Sequence, residues 1–237
     1  LNSMNQLIEM PNNFGVELYL KREDKIHPFI SGNKYRKLKY NLIESQNKKH
    51  DTLLTFGGAY SNHIAAVASA GKESGFKTIG VIRGEELADK ISENPTLSVA
   101  QNCGMQFKLI SREVYRTKTT SSFINTLKNE LGNFYMIPEG GTNELAVKGC
   151  EEIFIEEDKT FDIICCPVGT GGTISGLINA SEPHQKILGF PALKGDFLQK
   201  EIGKIGFESA AIKYSISTSS LNKGDIGWIN KDSLSKL

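Results

Sequence analysis

Apolar positions along the chain follow two alternating patterns, short nearly continuous runs and longer stretches with helical spacing. The runs at residues 16–21, 52–56, 77–82, 105–110, 134–137, 161–166 and 186–190 predict strands, because a buried strand needs only a few consecutive apolar residues. Between them the spacing predicts helices over 34–46, 62–74, 121–131, 144–155 and 173–180, and one that starts at Pro95 after an Asn94 cap. In the first of these, Tyr35, Leu38, Leu42 and Ile43 share one face. Strands that alternate with helices must pair in parallel, with helices covering both faces of the sheet, so the expected fold class is α/β.

In an open parallel sheet, ligands bind outside the carboxyl ends of the strands, which directs attention to the strand-to-helix loops. Three of these are rich in glycine: FGGAYSNH at 56–63, PEGGTNE at 138–144 and PVGTGGTISG at 167–176. The last can present several backbone N–H groups to one anion at a helix start. Neither the dinucleotide pattern, which would need glycine where Ile174 stands, nor the GK[ST] of a nucleotide phosphate loop is present. A compact monophosphate held by N–H groups and the hydroxyls of Thr170 and Thr173, with no metal, fits the loop; a tight turn with no ligand is the plainer alternative.

Composition limits the partner more than the fold. With 39% hydrophobic and 23% charged residues in 237, the chain has enough apolar material for a globular core of one or two domains. A net charge of +1 provides no field for nucleic acid or an anionic membrane, so a small partner is expected, in a cytoplasmic setting. No apolar run is long enough to span a bilayer. Cys103, Cys150, Cys165 and Cys166 have no metal-ligand spacing and read as reduced, buried and structural.

The stretch SGNKYRKLKY at 31–40 places Lys34, Arg36, Lys37 and Lys39 near a helix start, the end where the helix dipole disfavours cations. Taken alone, the cluster reads as a solvated face, Ser61 as a helix cap and Asn62 as a first-turn polar group. Together with the phosphate-suited loop they suggest more. An amine that attacks a carbonyl needs its pKa lowered, and pyridoxal 5'-phosphate carries both an aldehyde and a phosphate; Lys34 would be the amine.

The segments KREDKIHPFISGNKYRKL, FGGAYSNHIAAVASAG, IPEGGTN and PVGTGGTISGL, in that order over roughly residues 5–198, closely resemble the 1-aminocyclopropane-1-carboxylate deaminase and D-cysteine desulfhydrase family. That family belongs to the fold type II (tryptophan synthase β-like) pyridoxal phosphate enzymes. The resemblance implies that Lys34 is the lysine that bonds covalently to the cofactor, and that Asn62 lies beside the cofactor's 3-hydroxyl. It implies that Ser61 engages the substrate, and that Gly169, Thr170, Gly171, Gly172 and Thr173 hold the phosphate. His63 and His27 receive no catalytic role. The implied reaction converts a small amino acid into a 2-oxo acid and ammonia, with Lys34 and Ser61 carrying protons. A homodimer is the family expectation.

The resemblance also implies a two-domain architecture, with residues 1–46 and 141–200 in the larger, cofactor-binding domain and 47–140 in the smaller one. Beyond ILGFPALKGDFLQKEI the family pattern implies a C-terminal third that is not found here, and residues 201–237 read as an atypical tail. Within the tail, 207–234 is similar to part of a parvulin-type peptidyl-prolyl isomerase. Two alternatives therefore stand beside the deaminase or desulfhydrase: a truncated or fused chain with impaired catalysis, and a prolyl isomerase module.

Overall fold

The computed structural model describes residues 3–9 and 15–191. The chain enters through two short strands, β1 (Asn5–Ile8) and β2 (Leu18–Lys21), which pair antiparallel with Asn5 opposite Lys21 and Ile8 opposite Leu18. This pair departs from the all-parallel expectation. β1 is a four-residue strand with no alternation to announce it, so only its partner defines it.

The helix α1 (Asn33–Asn47) then leads into a regular series: β3 (Thr52–Gly57), α2 (Asn62–Ser74), β4 (Lys77–Arg83), α3 (Pro95–Asn102) and β5 (Gln106–Ile110). The series continues with α4 (Arg112–Arg116), α5 (Ser121–Leu131), β6 (Tyr135–Ile137), α6 (Glu144–Glu151), β7 (Ile163–Val168), α7 (Gly172–Ala180) and β8 (Lys186–Pro191). Four strands form a parallel sheet in the order β5-β4-β3-β6, and β7 pairs with β8 in a second parallel sheet. The fold is α/β, with parallel sheets flanked by helices.

Local chemistry accounts for the boundaries. Asn94 accepts from the N–H groups of Thr96 and Leu97 at 3.0 and 2.9 Å, with Pro95 in the first turn of α3, as expected. Gly75 ends α2 in the left-handed conformation, φ +76°. The central strand β3 is buried on both faces. Leu53 joins Leu38, Ile64, Val67, Leu97 and Ile137 on one side, while Leu54 and Phe56 join Val81, Leu127 and Phe134 on the other. A third core, built from Cys150, Ile153, Cys166, Val168, Ile174, Leu177 and Ile187, seals β7 and β8 against α6 and α7.

Two expectations are corrected here. Ile43, assigned to the apolar face of α1, is 44% exposed, whereas Arg36 and Lys37 are each 2% exposed. The helix turns its cations inward because polar partners wait there. Cys165, expected to be buried, is exposed on β7, while Cys150 and Cys166 are buried and all four thiols are free. Among the described residues no helix is long and apolar enough to cross a membrane. The expected isomerase-like stretch at 207–234 lies outside the described residues.

Candidate active site

The loops after β6 and β7 meet the start of α1, through Gly140 on Lys34 and through Thr170 and Thr173 on Lys37 and Asn33. A cavity of about 140 Å³ opens there, lined by Asn33, Lys34 and Lys37 of α1 and by residues 167–171, Thr173 and Ile174. A space of about 150 Å³ is enough for one six-membered aromatic ring. Gly171 stands before α7 at φ +85° and no side chain caps that helix, so its first N–H groups are left without a side-chain acceptor beside the cavity. Asn33 Nδ2 donates to Thr173 Oγ1 at 2.7 Å and so ties the starts of α1 and α7 together.

The four cations of α1 divide into two kinds. Arg36 forms two 3.0 Å bonds to Glu23, and Lys39 lies 2.6 Å from Glu152, which also accepts from Tyr40. These two are paired and hold α1 in place. Lys34 Nζ instead donates to the Gly140 carbonyl at 3.0 Å. Lys37 Nζ reaches the same carbonyl at 3.2 Å, Thr142 Oγ1 at 3.0 Å and Thr170 Oγ1 at 3.3 Å. Among the described residues neither amine has a carboxylate partner. Two largely buried amines without a counter-ion, set against a helix start, suit a dianionic group.

Glycine makes this approach possible. A Cβ on Gly172 would stand 3.0 Å from Thr142 Oγ1 and 3.2 Å from Lys37 Nζ. A side chain there would have to push Thr142 and the Lys37 amine back by a few tenths of an ångström, so glycine gives α7 its closest start.

Burial, and then the neighbouring Lys37 charge, lowers the Lys34 pKa to about 7. Burial also lowers that of Lys37. Between about pH 7 and the ordinary lysine range the folded chain therefore binds fewer protons at Lys34 than the unfolded chain. This group's contribution to stability rises with pH across that window and is flat below it. Trace acetylation followed by peptide mass mapping should show half-maximal modification of Lys34 near pH 7, about three units below an ordinary exposed lysine. Half-modification above pH 9 would refute the burial argument.

The cavity brings Lys34 together with Gly169, Thr170, Gly171 and Thr173, while Gly172 packs just behind it. Ser61 and Asn62 do not line it. Ser61 caps α2 through a long 3.4 Å bond from Ile64 N, and Asn62 follows it, exposed. Sequence reasoning missed Lys37, Thr142 and the Gly140 carbonyl. Lys37 sits three residues after Lys34, a spacing that places both on one helix face, but the cation run around it hid that signal. His27 is a loop anchor, with Nδ1 accepting from Ile30 N at 2.9 Å.

A sequence-family profile described as pyridoxal-phosphate dependent enzyme matches residues 3–202. The chain is 34% identical over 185 residues to the mitochondrial bifunctional D-cysteine desulfhydrase/1-aminocyclopropane-1-carboxylate deaminase of Arabidopsis thaliana, covering 71% of this chain and 45% of that protein. It is 25% identical over 181 residues to a D-cysteine desulfhydrase of Salmonella paratyphi A, covering 69% and 52%. A crystal structure of an ACC deaminase homologue superposes with a TM-score of 0.69 at 26% identity, covering 91% of this chain and 69% of that one. The chain spans about half the length of the curated relatives it matches. Nothing in these comparisons supports the isomerase-like reading of the tail.

Proposed function

The chain belongs to the family of pyridoxal-phosphate-dependent enzymes, and from that premise we propose that it acts on a small amino acid, 1-aminocyclopropane-1-carboxylate or D-cysteine, to give a 2-oxo acid and ammonia. The observation that carries this reading is the convergence of the Lys34 and Lys37 amines with the loop 169–173 around one cavity. The residues suit the cofactor: hydroxyls, open N–H groups and a buried cation for a phosphate, and an amine unprotonated near neutrality for an aldehyde.

In this reading Lys37, Thr170, Thr173 and the backbone of Gly169, Gly171 and Gly172 hold the phosphate. Lys34 provides the attaching amine and, when free, accepts and returns a proton at Nζ. Pyridoxal phosphate, when bound, draws electron density from the substrate's α-carbon. Asn62, beside the cofactor's 3-hydroxyl, and Ser61, on the substrate, are proposed from their place at the start of α2.

Assay of 2-oxo acid from both amino acids tests the proposal, with sulfide released from D-cysteine only. Cofactor attachment with no 2-oxo acid from either would leave a binding protein and overturn the catalytic claim. Ser61 gives a sharper test. Ser61→Ala should retain the bound-cofactor spectrum and lose roughly a hundredfold or more in turnover, whereas a plain helix cap would cost about 1 kcal/mol of stability and little rate. The 3.4 Å cap bond is already long, so the stability cost should fall at the low end. Equal turnover in both forms would reduce Ser61 to a cap.

A further inference from the structure

His63, in the first turn of α2, is 2% exposed and does not line the cavity. Its hydrogen bonding determines its tautomer. Thr55 on β3 donates its hydroxyl hydrogen to the Ile137 carbonyl at 2.9 Å, so toward the ring it acts as an acceptor, and it lies 2.8 Å from His63 Nε2. That arrangement favours a proton on Nε2, with Nδ1 as the acceptor nitrogen. That nitrogen is buried with no hydrogen-bond partner. Burial, and then the Lys34 and Lys37 charges, hold the ring well below the ordinary histidine range; the Pro138 carbonyl opposes them with a smaller influence. The ring is neutral.

The ring packs against Gly141. A Cβ there would lie 3.0 Å from His63 Cε1, 3.3 Å from Nδ1 and 3.7 Å from Lys37 Cβ. Gly140 and Gly141 both adopt left-handed backbone, φ +68° and +72°, and have no side chains with which to hold it. Two consecutive glycines are conformationally permissive, so their neighbours must impose the turn. On the far side, Glu139 accepts from Tyr115 Oη at 2.8 Å and pairs with Lys118 at 3.2 Å. On the near side, the fixed imidazole is the wall. Between these anchors lies the Gly140 carbonyl, which receives both lysine amines.

We propose that His63 is a positioning residue: its ring on Gly141 and its Nε2–H bond to Thr55 fix the turn at 139–141, so that the Gly140 carbonyl sets where the amines of Lys34 and Lys37 stand. The role rests on the assignment of those two lysines made above. A neutral imidazole suits it because a charged side chain would add a cation beside two buried amines that already lack a carboxylate. Among the described residues the buried Cys150 thiol of α6 acts on both amines and the Cys166 thiol of β7 on Lys37; burial raises them to about 11 and about 12, so neither brings a negative charge near neutral pH.

The test uses the full chain without added cofactor. Acetylation of Lys34 and Lys37 is mapped across pH in wild type, His63→Ala, His63→Gln and Thr55→Val. Glutamine can place an amide N–H near the Nε2 position and keep the bond to Thr55. His63→Ala should raise the half-modification pH of Lys34 by about one unit or more and increase Lys37 labelling at neutral pH about tenfold. His63→Gln should stay close to wild type, and Thr55→Val, which keeps the volume and removes the hydroxyl's bonds to both His63 and the Ile137 carbonyl, should shift part of the way. Wild-type labelling in His63→Ala would overturn the proposal, as would His63→Gln displaced as far as His63→Ala. If His63→Ala fails to fold by circular dichroism, Thr55→Val decides, and wild-type labelling there would be fatal. Failure of the cofactor to attach at Lys34 would refute the functional reading and leave these labelling results unaffected.

Discussion

Lys34→Ala should abolish covalent attachment of pyridoxal phosphate and reduce turnover of any amino acid substrate by roughly 10³-fold or more. Two jobs depend on this one amine. In the proposed role the amine would bond to the aldehyde, which requires the unprotonated form, and burial beside Lys37 favours that form near neutral pH. The same amine would then carry a proton at the substrate, where a positioned base contributes up to about four orders of magnitude. Incubation of the wild-type chain with the cofactor, borohydride reduction and peptide mapping should place the label on Lys34 alone. Lys37 is the informative control, because its amine shares the Gly140 carbonyl at 3.2 Å but is committed to the hydroxyls of Thr142 and Thr170. A label on Lys37 in the wild type, or full attachment in Lys34→Ala, would reverse the two roles.

Gly149→Ala should destabilise the chain by about 2 kcal/mol or more even though alanine is the better helix former. Gly149 lies in α6 where that helix crosses α1, and a Cβ there would run into the Arg36 carbonyl oxygen, with the carbonyl carbon at 2.9 Å. Backbone opposes backbone, so no rotamer relieves the clash. The intrinsic gain from replacing glycine in a helix is about 1 kcal/mol, while overpacking a tight contact costs about 3 kcal/mol, so the steric effect prevails. The crossing of α6 with α7 is similarly close, since a Cβ on Gly176 would lie 2.5 Å from Cys150 Cβ and 2.7 Å from the Val147 carbonyl. Separating α1 from α6 would also draw Lys37 from Thr142 and Thr170, so cofactor affinity should fall with the denaturation midpoint. A midpoint raised by the substitution would show that the helices are not held at this distance.

Element type was legible wherever an apolar period was long or a cap was explicit. The helix after Asn94-Pro95 and the run at 52–56 are examples, because each combines a strong local preference with a burial pattern that admits one reading. β1 was not legible, since four residues without alternation become a strand only when β2 lies beside them. The first helix was read in part. Leu38 is buried and Tyr35 and Leu42 pack against the core as its apolar spacing suggested, yet Lys37, Asn41 and Ser45, spaced four apart, are buried as well and Ile43 lies outside. Hydrophobic period reports burial only when burial is apolar, and here a carboxylate, a hydroxyl and a carbonyl compensate buried Arg36, Lys37 and Asn41 instead.

By itself the sequence determined the α/β rhythm, the three glycine-rich loops and the presence of an amine near a phosphate-suited turn, because these depend on local preferences and on residue types at short spacing. Tertiary structure alone decided which of four neighbouring cations are neutralised and which are left for a ligand. Glu23 and Glu152 reach Arg36 and Lys39 from 13 and 113 residues away in the chain, while Gly140, Thr142 and Thr170 reach Lys37 from more than 100 away. Charge compensation acts through space, and the pairing of residues so distant in sequence exists only after the sheets and helices have packed.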